Sequence, residues 1–584
     1  MILQALCEYY EAAAKEGEIA RIGYGEENVS CALVLSREGA LQRAISLKNP
    51  EQRGKKTVMA PQRMTVPEHA TRSSGVAPYF LCDKSAYFLG VDDKGNPART
   101  AESFAASRAL HLELLEGVDD PGAQAVCAFF RRWKPEEARE HPALWECWDD
   151  VQGGAMLVFC LQGEAEEGFF VHRRPAVEAA WSARAAAQAD ADVRAPCLVT
   201  GKADQPVALI HNKIKGIYGA PTMGESLVGF NAPAFESYGC VQAKGLNAPV
   251  SCYAAFAYTT ALNKLLAGKH RMPLGDMTVV YWARSAEEGY PDLFDMACGP
   301  QSGDEKKIGA ILSRVKRGLP PELPGLESAM PFYILGLSPN AGRASVRMFL
   351  QSEFGSVIEH IMLNYARLEI VHAPYEPDIL TNAMLLRETA NPNATTPEPP
   401  APLAGAMLRA VWTDGDYPEE LLSMLLLRIW AEQEVTYAKA AMIKAYLLKN
   451  KKRSEEEITM ALNENCTDRA YVLGRLFAVL EKTQQDANPG GINTTIKDRY
   501  FASASATPRA VFPTLLRLAR SHIAKAGYGK ADEIAISQIM FLLPAQPLPA
   551  RLTLEEEGMF YLGYYHQNQA RYQKKDEQTA KEEK

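Results

Sequence analysis

The stretch ETANPNATTPEPPAP, from Glu388 to Pro402, constrains this chain more than any other feature. Prolines among small polar residues remove backbone donors and offer nothing to bury, so the segment reads as an extended linker. The texture changes across it. Beyond it, LLSMLLLRIWAEQEVTYAKAAMIKAYLLKNKKR repeats apolar residues at spacings of three and four, with basic residues collecting where a helix C-terminus favours them. AYVLGRLFAVLEKTQ, VFPTLLRLARSHIAKA and TLEEEGMFYLGYYHQNQARY supply three further helices, and KKDEQTAKEEK is a charged, fraying tail. The expectation is an α+β chain with a mixed α/β body over 1–388, a linker over 389–402 and an all-α helical bundle over 403–584.

Within the body, Ile2, Leu3, Leu6, Tyr9 and Tyr10 fall at the spacing of an amphipathic helix. VSCALVLSREGALQRAISL reads as a hairpin that turns at Glu38 and Gly39. A basic, proline-punctuated stretch from Arg53 to Arg72 precedes the strand-like YFLCDKSAYFLGVDD. From Ala101 to Ala191, helical patches rich in Ala, Glu and Arg enclose one strand signal, AMLVFCL. Gly, Asn, Ser and Thr then alternate with aromatic residues until YTTALNKLLAG returns to helix. TVVYWA reads as a strand, and FYILGLSPNAGRASVRMFL as a strand, a turn and an arginine-bearing strand or helix.

In 584 residues, 63 Lys and Arg against 71 Asp and Glu leave a net charge of -8, which argues against wrapping nucleic acid by global positive charge. Any such contact must be local. Eleven cysteines without a C-x-x-C pair suit reduced, buried thiols of a cytosolic protein. With no leader pattern and no apolar run of about 18 residues, the chain reads as soluble and cytoplasmic, with no membrane partner. Catalytic signatures are missing: there is no phosphate loop, no H-E-x-x-H helix and no Cys/His set at ligand spacing. Gly224-Glu225-Ser226-Leu227-Val228-Gly229 puts its second glycine one residue too late for a nucleophile elbow, and His211 beside an apolar run reads as a packed histidine. The expectation is a protein without catalytic residues, cofactor or metal.

Three basic regions stand out. In the first, Lys213 and Lys215 lie two apart, so a strand would project both ammonium groups from one face toward successive phosphates. Around them Asn212, Asn231, Ser237, Gln242, Lys244 and Asn247 supply further donors and acceptors, and Phe230, Phe235 and Tyr238 offer rings for stacking on bases. The same residues also suit a loop-rich patch of sheet whose aromatics fill a core. In the second, Arg53, Lys55, Lys56, Arg63, Arg72, Ser73, Ser74 and Lys84 form a loop with few carboxylates, suited to phosphate contact or to solvent. The third, Lys439, Lys444, Lys449, Lys451, Lys452 and Arg453, concentrates charge along one helix, where it also complements the dipole.

MILQALCEYYE, RSSGVAPYFLCDKSAYFLG, GFNAPAFESYGCVQAKGLNAPVS followed by YTTALNKLL, FYILGLSPNAGRASVRMFL, AYVLGRLFAVLEKTQ and LTLEEEGMFYLGYYHQNQ together resemble the large subunit of the type I-C CRISPR effector complex. The resemblance runs in order along nearly the whole chain and is weakest between Ala101 and Ala191. It implies a non-enzymatic subunit of a crRNA-guided complex with backbone, crRNA-end and small subunits. Such a subunit binds the protospacer-adjacent motif in double-stranded DNA, helps open the duplex, holds the displaced strand and recruits a helicase-nuclease. On that reading Arg72, Lys84, Lys213 and Lys215 contact phosphate or motif edges, while Asn231, Gln242 and Asn247 bond base edges. Other readings are a nuclease or hydrolase with an unrecognised site and a purely structural assembly subunit. Ser454 followed by Glu457 has the form of a capping box that starts a helix. The three glutamates before Met460 also fit a purine-rich ribosome-binding site, and the resemblance implies that residues 460–584 are also made separately as the small subunit.

Overall fold

The computed structural model describes residues 1–53, 56–69, 75–93, 95–164, 168–190, 193–230, 232–236, 239, 244–301 and 303–582. They divide into two compact units. The first comprises 1–216, 220–268 and 340–344, and the second 217–219, 269–339 and 345–584. The mixed α/β character lies in the N-terminal part, and long helices dominate the C-terminal part.

In the first unit, the strand Cys31–Leu35 runs parallel to Met156–Leu161 at the centre of a four-stranded sheet, flanked by Leu41–Ser46 and Cys82–Lys84. Its side chains alternate between two cores. Leu33, Leu35, Leu157 and Phe159 enter one, while Ala32, Val34, Val158 and Cys160 enter the other with Met64 and Val66. Burial on both faces is the condition under which a parallel pair persists, and it explains why these runs read as continuously apolar. The expected hairpin is present, with Cys31–Leu35 antiparallel to Leu41–Ser46. Gly39 turns it at a φ of +80°, where a Cβ would strike Ala128 and the backbone of Phe129 on the helix Pro121–Arg132. Asp120 starts that helix by accepting from Gly122 N at 2.7 Å and Ala123 N at 3.0 Å, and Arg174 joins Asp120 to Glu164. The N-terminal helix Ile2–Lys15 packs on Cys252–Ala267, with Tyr10 edge-on to Phe256.

YFLCDKSAYFLGVDD departs from the expected strand, for only Cys82–Lys84 pairs before the short helix Ser85–Phe88 begins. Asp83 accepts from Tyr79 N and Lys84 N, each at 2.7 Å, a local alternative to the ladder that ends the strand.

A second four-stranded sheet, mostly of second-unit residues, has the order Arg271–Leu274, Met277–Ala283, Pro331–Asn340, Arg343–Glu353, the last two joined through a turn at Ala341 and Gly342 that is assigned to the first unit. The arginine-bearing half of FYILGLSPNAGRASVRMFL is thus a strand. One core continues from Val279, Tyr281 and Phe332 through the helix Phe354–Leu368 into the helices beyond Ala401. It draws on residues from both sides of the proline-rich stretch. At its far end the helix Arg469–Asp486 lies against Leu554–Glu582, where a Cβ on Gly474 would overlap Phe560 O and one on Gly563 would overlap Tyr471 O. No described helix is long and apolar enough to cross a membrane.

The apolar run that begins at Leu421 does not continue as one helix. Helices Glu419–Glu432 and Tyr437–Asn450 are separated by Gln433 at a φ of +55°, and Thr436 caps the second by accepting from Lys439 N at 3.2 Å. Both apolar patterns are helical, so the break lies in the cap residues rather than in the periodicity. Ser454 does accept from Glu457 N at 3.2 Å, yet no helix follows, and residues 451–468 are irregular. Of the third basic region only Lys451 and Lys452 are exposed. Lys439 is buried against Glu432 and Glu388, Lys449 pairs with Asp414 at 2.8 Å, and Arg453 meets Glu457, Asp468 and Glu555.

Lys444 is the exception. Buried at 3% exposure, it donates to Arg367 O at 2.9 Å, and burial lowers its pKa from 10.5 to about 8. Burial and the Lys444 charge together hold His566 down to about 3, leaving a neutral ring whose Nδ1 meets Tyr471 OH at 2.9 Å. Because the folded value lies below the unfolded one, the cost of charging Lys444 is paid in full below pH 8 and fades as pH rises toward 10.5. Lys444→Met is therefore expected to raise the thermal midpoint at pH 7, with the gain over the parent shrinking between pH 8 and 10 in calorimetric scans.

Candidate nucleic-acid interface

Lys213–Lys215 belongs to no regular strand. A single bridge joins it to the following loop, Ile214 N donating to Glu225 O at 2.7 Å and Glu225 N to Ile214 O at 2.8 Å. Gly224, at a φ of +80°, permits this approach, since a Cβ there would come within 2.7 Å of Ile214 O. The loop is held in turn by the hairpin turn, because Ser226 N donates to Gly342 O at 3.1 Å and Ala344 N to Ser226 O at 3.0 Å. Two neighbouring segments and one more distant in sequence thus form one small ladder in the first unit.

On this frame Lys213 Nζ donates to Ser226 Oγ at 2.8 Å and has no carboxylate partner among the described residues. Beside it Arg343 donates from Nη2 to Gly229 O at 2.8 Å and lays its guanidinium 3.7 Å from the centroid of Phe235. One face of Phe235 is therefore covered by a cation, and its side chain is still 40% exposed. Phe230 is half-buried nearby in sequence.

Lys215 and Asn212 are exposed and lie beside carboxylates. Asn212 Nδ2 donates to Glu68 Oε1 at 2.9 Å, and burial pushes the Glu68 carboxyl above its usual range. Burial acts likewise on Glu27, but the His69 hydrogen bond and the charges of His69 and Lys215 outweigh it and hold Glu27 below. Both lysines depend on Asn263, which sequence reasoning did not single out. From the helix Cys252–Ala267 its Oδ1 accepts from Lys215 N at 2.8 Å, and its Nδ2 donates to Lys213 O at 3.1 Å. The signal was an asparagine inside an otherwise apolar helix face, where it is expected to bond backbone.

Lys244 is exposed at a φ of +48° and opens the 3-10 turn Lys244–Asn247, in which Asn247 Nδ2 donates back to Lys244 O at 3.0 Å. Lys84 is exposed at the start of the helix Ser85–Phe88. In the second basic region Arg63 pairs with Glu26 across the two-stranded ladder Tyr24–Val29 and Gln62–Pro67. His211 is buried and bonds Tyr258 OH at 2.6 Å, as a packed histidine does. Arg72, Ser74, Asn231, Ser237 and Gln242 lie outside the described residues, as do Lys55, Ser73 and Tyr238.

A further cationic surface went unremarked in the sequence. The helix Pro508–Lys525 contains no Asp or Glu, and Arg509, Arg517, Arg520 and Lys525 are all exposed on it. Arg509 Nε donates to Leu548 O at 2.7 Å, while Arg517, Arg520 and Lys525 have no carboxylate partner among the described residues. The readable signal was the absence of acids from a helix in a chain of net negative charge.

A protein-family model described as CRISPR-associated protein (Cas_Csd1) matches residues 6–572. No curated protein matches the chain.

Removing the Asn263 amide strips partners from two backbone groups at once. Asn263→Ala is expected to speed amide hydrogen exchange at Lys215 by about tenfold, with exchange in the sheet around Leu33 unchanged, the loss expected of one net hydrogen bond.

Proposed function

Because this chain belongs to the CRISPR-associated Csd1 family over residues 6–572, its role is CRISPR-associated, and we propose that it is the large subunit of a type I-C surveillance complex. In that role it binds the protospacer-adjacent motif in double-stranded DNA, helps unwind the duplex, holds the displaced strand and recruits the helicase-nuclease, without chemistry of its own. The observation that carries the reading is the pinned pair Lys213 and Lys215. Asn263 fixes their backbone, Lys213 keeps an ammonium free of carboxylates among the described residues, and Arg343 and Phe235 add a guanidinium and a ring beside it. Backbone held by a helix side chain and a cation without a carboxylate partner suit phosphate positioning, since sequence is read by guide pairing and the protein needs few specific contacts.

The acid-free face of Pro508–Lys525 supports the second part of the role, because neighbouring cations on one helix suit a single strand of phosphates. A separate product starting at Met460 also fits. Met460 is 53% exposed in the irregular segment before Arg469–Asp486, so a chain beginning there keeps the glycine crossing and every helix that follows it.

Two measurements test these readings. In the assembled complex, Lys213→Ala with Lys215→Ala is expected to weaken binding to target duplex and to lower the slope of log K against log salt by about 1.8, the contribution of two phosphate contacts. An unchanged slope removes the pair from the site. Intact-mass spectrometry of the complex purified from the native gene is expected to show a second chain of residues 460–584, and its loss on replacing the Met460 codon identifies the start.

A further inference from the structure

The second unit contains a group of side chains that its sequence spacing concealed. His270 precedes the strand Arg271–Leu274, and Glu288 and Asp292 lie at the start of the helix Gly289–Cys298, the latter in its first turn. One potential ligand atom from each of the three lies within 4.8 Å of the others. The ring of His270 is 12% exposed, and the two carboxylates open to solvent at 62% and 52%.

The orientation of the ring is fixed from behind. Its Nδ1 contacts Asp295 Oδ2 at 2.8 Å, and Asp295 also accepts from Tyr281 OH. A carboxylate acceptor at Nδ1 leaves Nε2 with its lone pair, directed at Asp292, and this is the arrangement that raises the basicity of metal-ligating histidines. Nε2 is buried and makes no hydrogen bond among the described residues, its contact with Asp292 Oδ1 being 3.4 Å. That separation has a meaning of its own. Two ligands bonded to a tetrahedral zinc at about 2.0–2.1 Å stand about 3.3 Å apart.

A cation already occupies the mouth. Lys269 reaches Asp292 at 2.9 Å and Glu288 at 3.1 Å, and being 60% exposed it is free to swing into solvent. We propose that His270, Glu288 and Asp292 form a binding site for a divalent transition cation of the zinc class, with Asp295 positioning the histidine and Lys269 as the competing internal cation. One imidazole and two carboxylates leave a fourth position for water or an exogenous ligand. Bound metal ties His270 to the start of the helix Gly289–Cys298 and displaces the ammonium.

Cobalt(II) titration of the full-length protein, followed by competition with zinc, tests this. The expected result is one equivalent showing d–d absorption without thiolate charge transfer, which separates the site from the cysteines. Lys269→Met should tighten binding by about tenfold, His270→Ala and Asp292→Asn should each abolish it, and Asp295→Asn should weaken it 10- to 100-fold. The near-isosteric Asp292→Asn keeps the test valid if His270→Ala does not fold. Absence of a stoichiometric equivalent, binding unchanged in Asp292→Asn, or no tightening in Lys269→Met would overturn the site and leave His270 as a structural histidine held between two aspartates.

Discussion

Gly474 and Gly563 let the helices Arg469–Asp486 and Leu554–Glu582 meet backbone to backbone, and the C-terminal part of the second unit is arranged around that contact. Because each glycine faces a carbonyl of the opposite helix, neither helix can slide without driving a side chain into main chain. The rest of the bundle packs on this fixed pair. Phe477 and Phe501 meet Phe560, Tyr561 and Tyr564 around it, and Tyr564 and Tyr471 spend their hydroxyls on Glu481 and His566. The two hydroxyls and the Glu481 carboxylate so buried have partners, which favours one register of the bundle over others.

The same burial sorts the basic residues. Along Tyr437–Asn450 the cations face inward because a 14-residue helix surrounded by others has little outer face, and each must then find a carboxylate or carbonyl. Lys439 and Lys449 find acids, whereas Lys444 finds a carbonyl and a lowered pKa. Lys213, Arg517 and Arg520 lie on segments with open sides and have no carboxylate partner among the described residues. A count of Lys and Arg in a window cannot make this distinction, since it turns on which helix face is covered.

That contrast shows how far the sequence was legible. Elements whose periodicity is decisive were readable: Ile2–Lys15, the hairpin of Cys31–Leu35 with Leu41–Ser46, Met277–Ala283 and the helices Arg469–Asp486, Pro508–Lys525 and Leu554–Glu582, whereas the shorter Ile496–Ala506 and Gly529–Phe541 were not read. Elements decided by a single capping or turn group were not. Gln433 and Thr436 break a run whose apolar pattern continues, Asp83 ends a strand by bonding its own neighbours, and Ser454 caps a helix that never propagates. At the candidate interface the lysines and Phe235 were visible as residue types, but Asn263 and Arg343, which position them, come from a helix and a turn far away in the chain. Their connection is made by side chains bonding the backbone of distant segments, and by a guanidinium over a ring, and these leave no trace in residue spacing.

Net charge is the least informative of the global quantities here, and the reason is range. At physiological salt a phosphate senses charges within about 8 Å. On the helix Pro508–Lys525, Arg517 and Lys525 are separated by about 12 Å of helix axis, with Arg520 between them and no acid on the helix. A phosphate placed over Arg520 is thus within screening distance of two or three cations and beyond the reach of most of the acids that set the total to -8. The converse holds at Glu27 and Glu68, whose carboxylates lie close enough to Lys215 and Asn212 to compete with any incoming phosphate for them. The local surroundings offered to a phosphate therefore differ between two surfaces of one acidic chain. Fewer carboxylates compete for the cations where a helix excludes acids than where basic residues are merely dense.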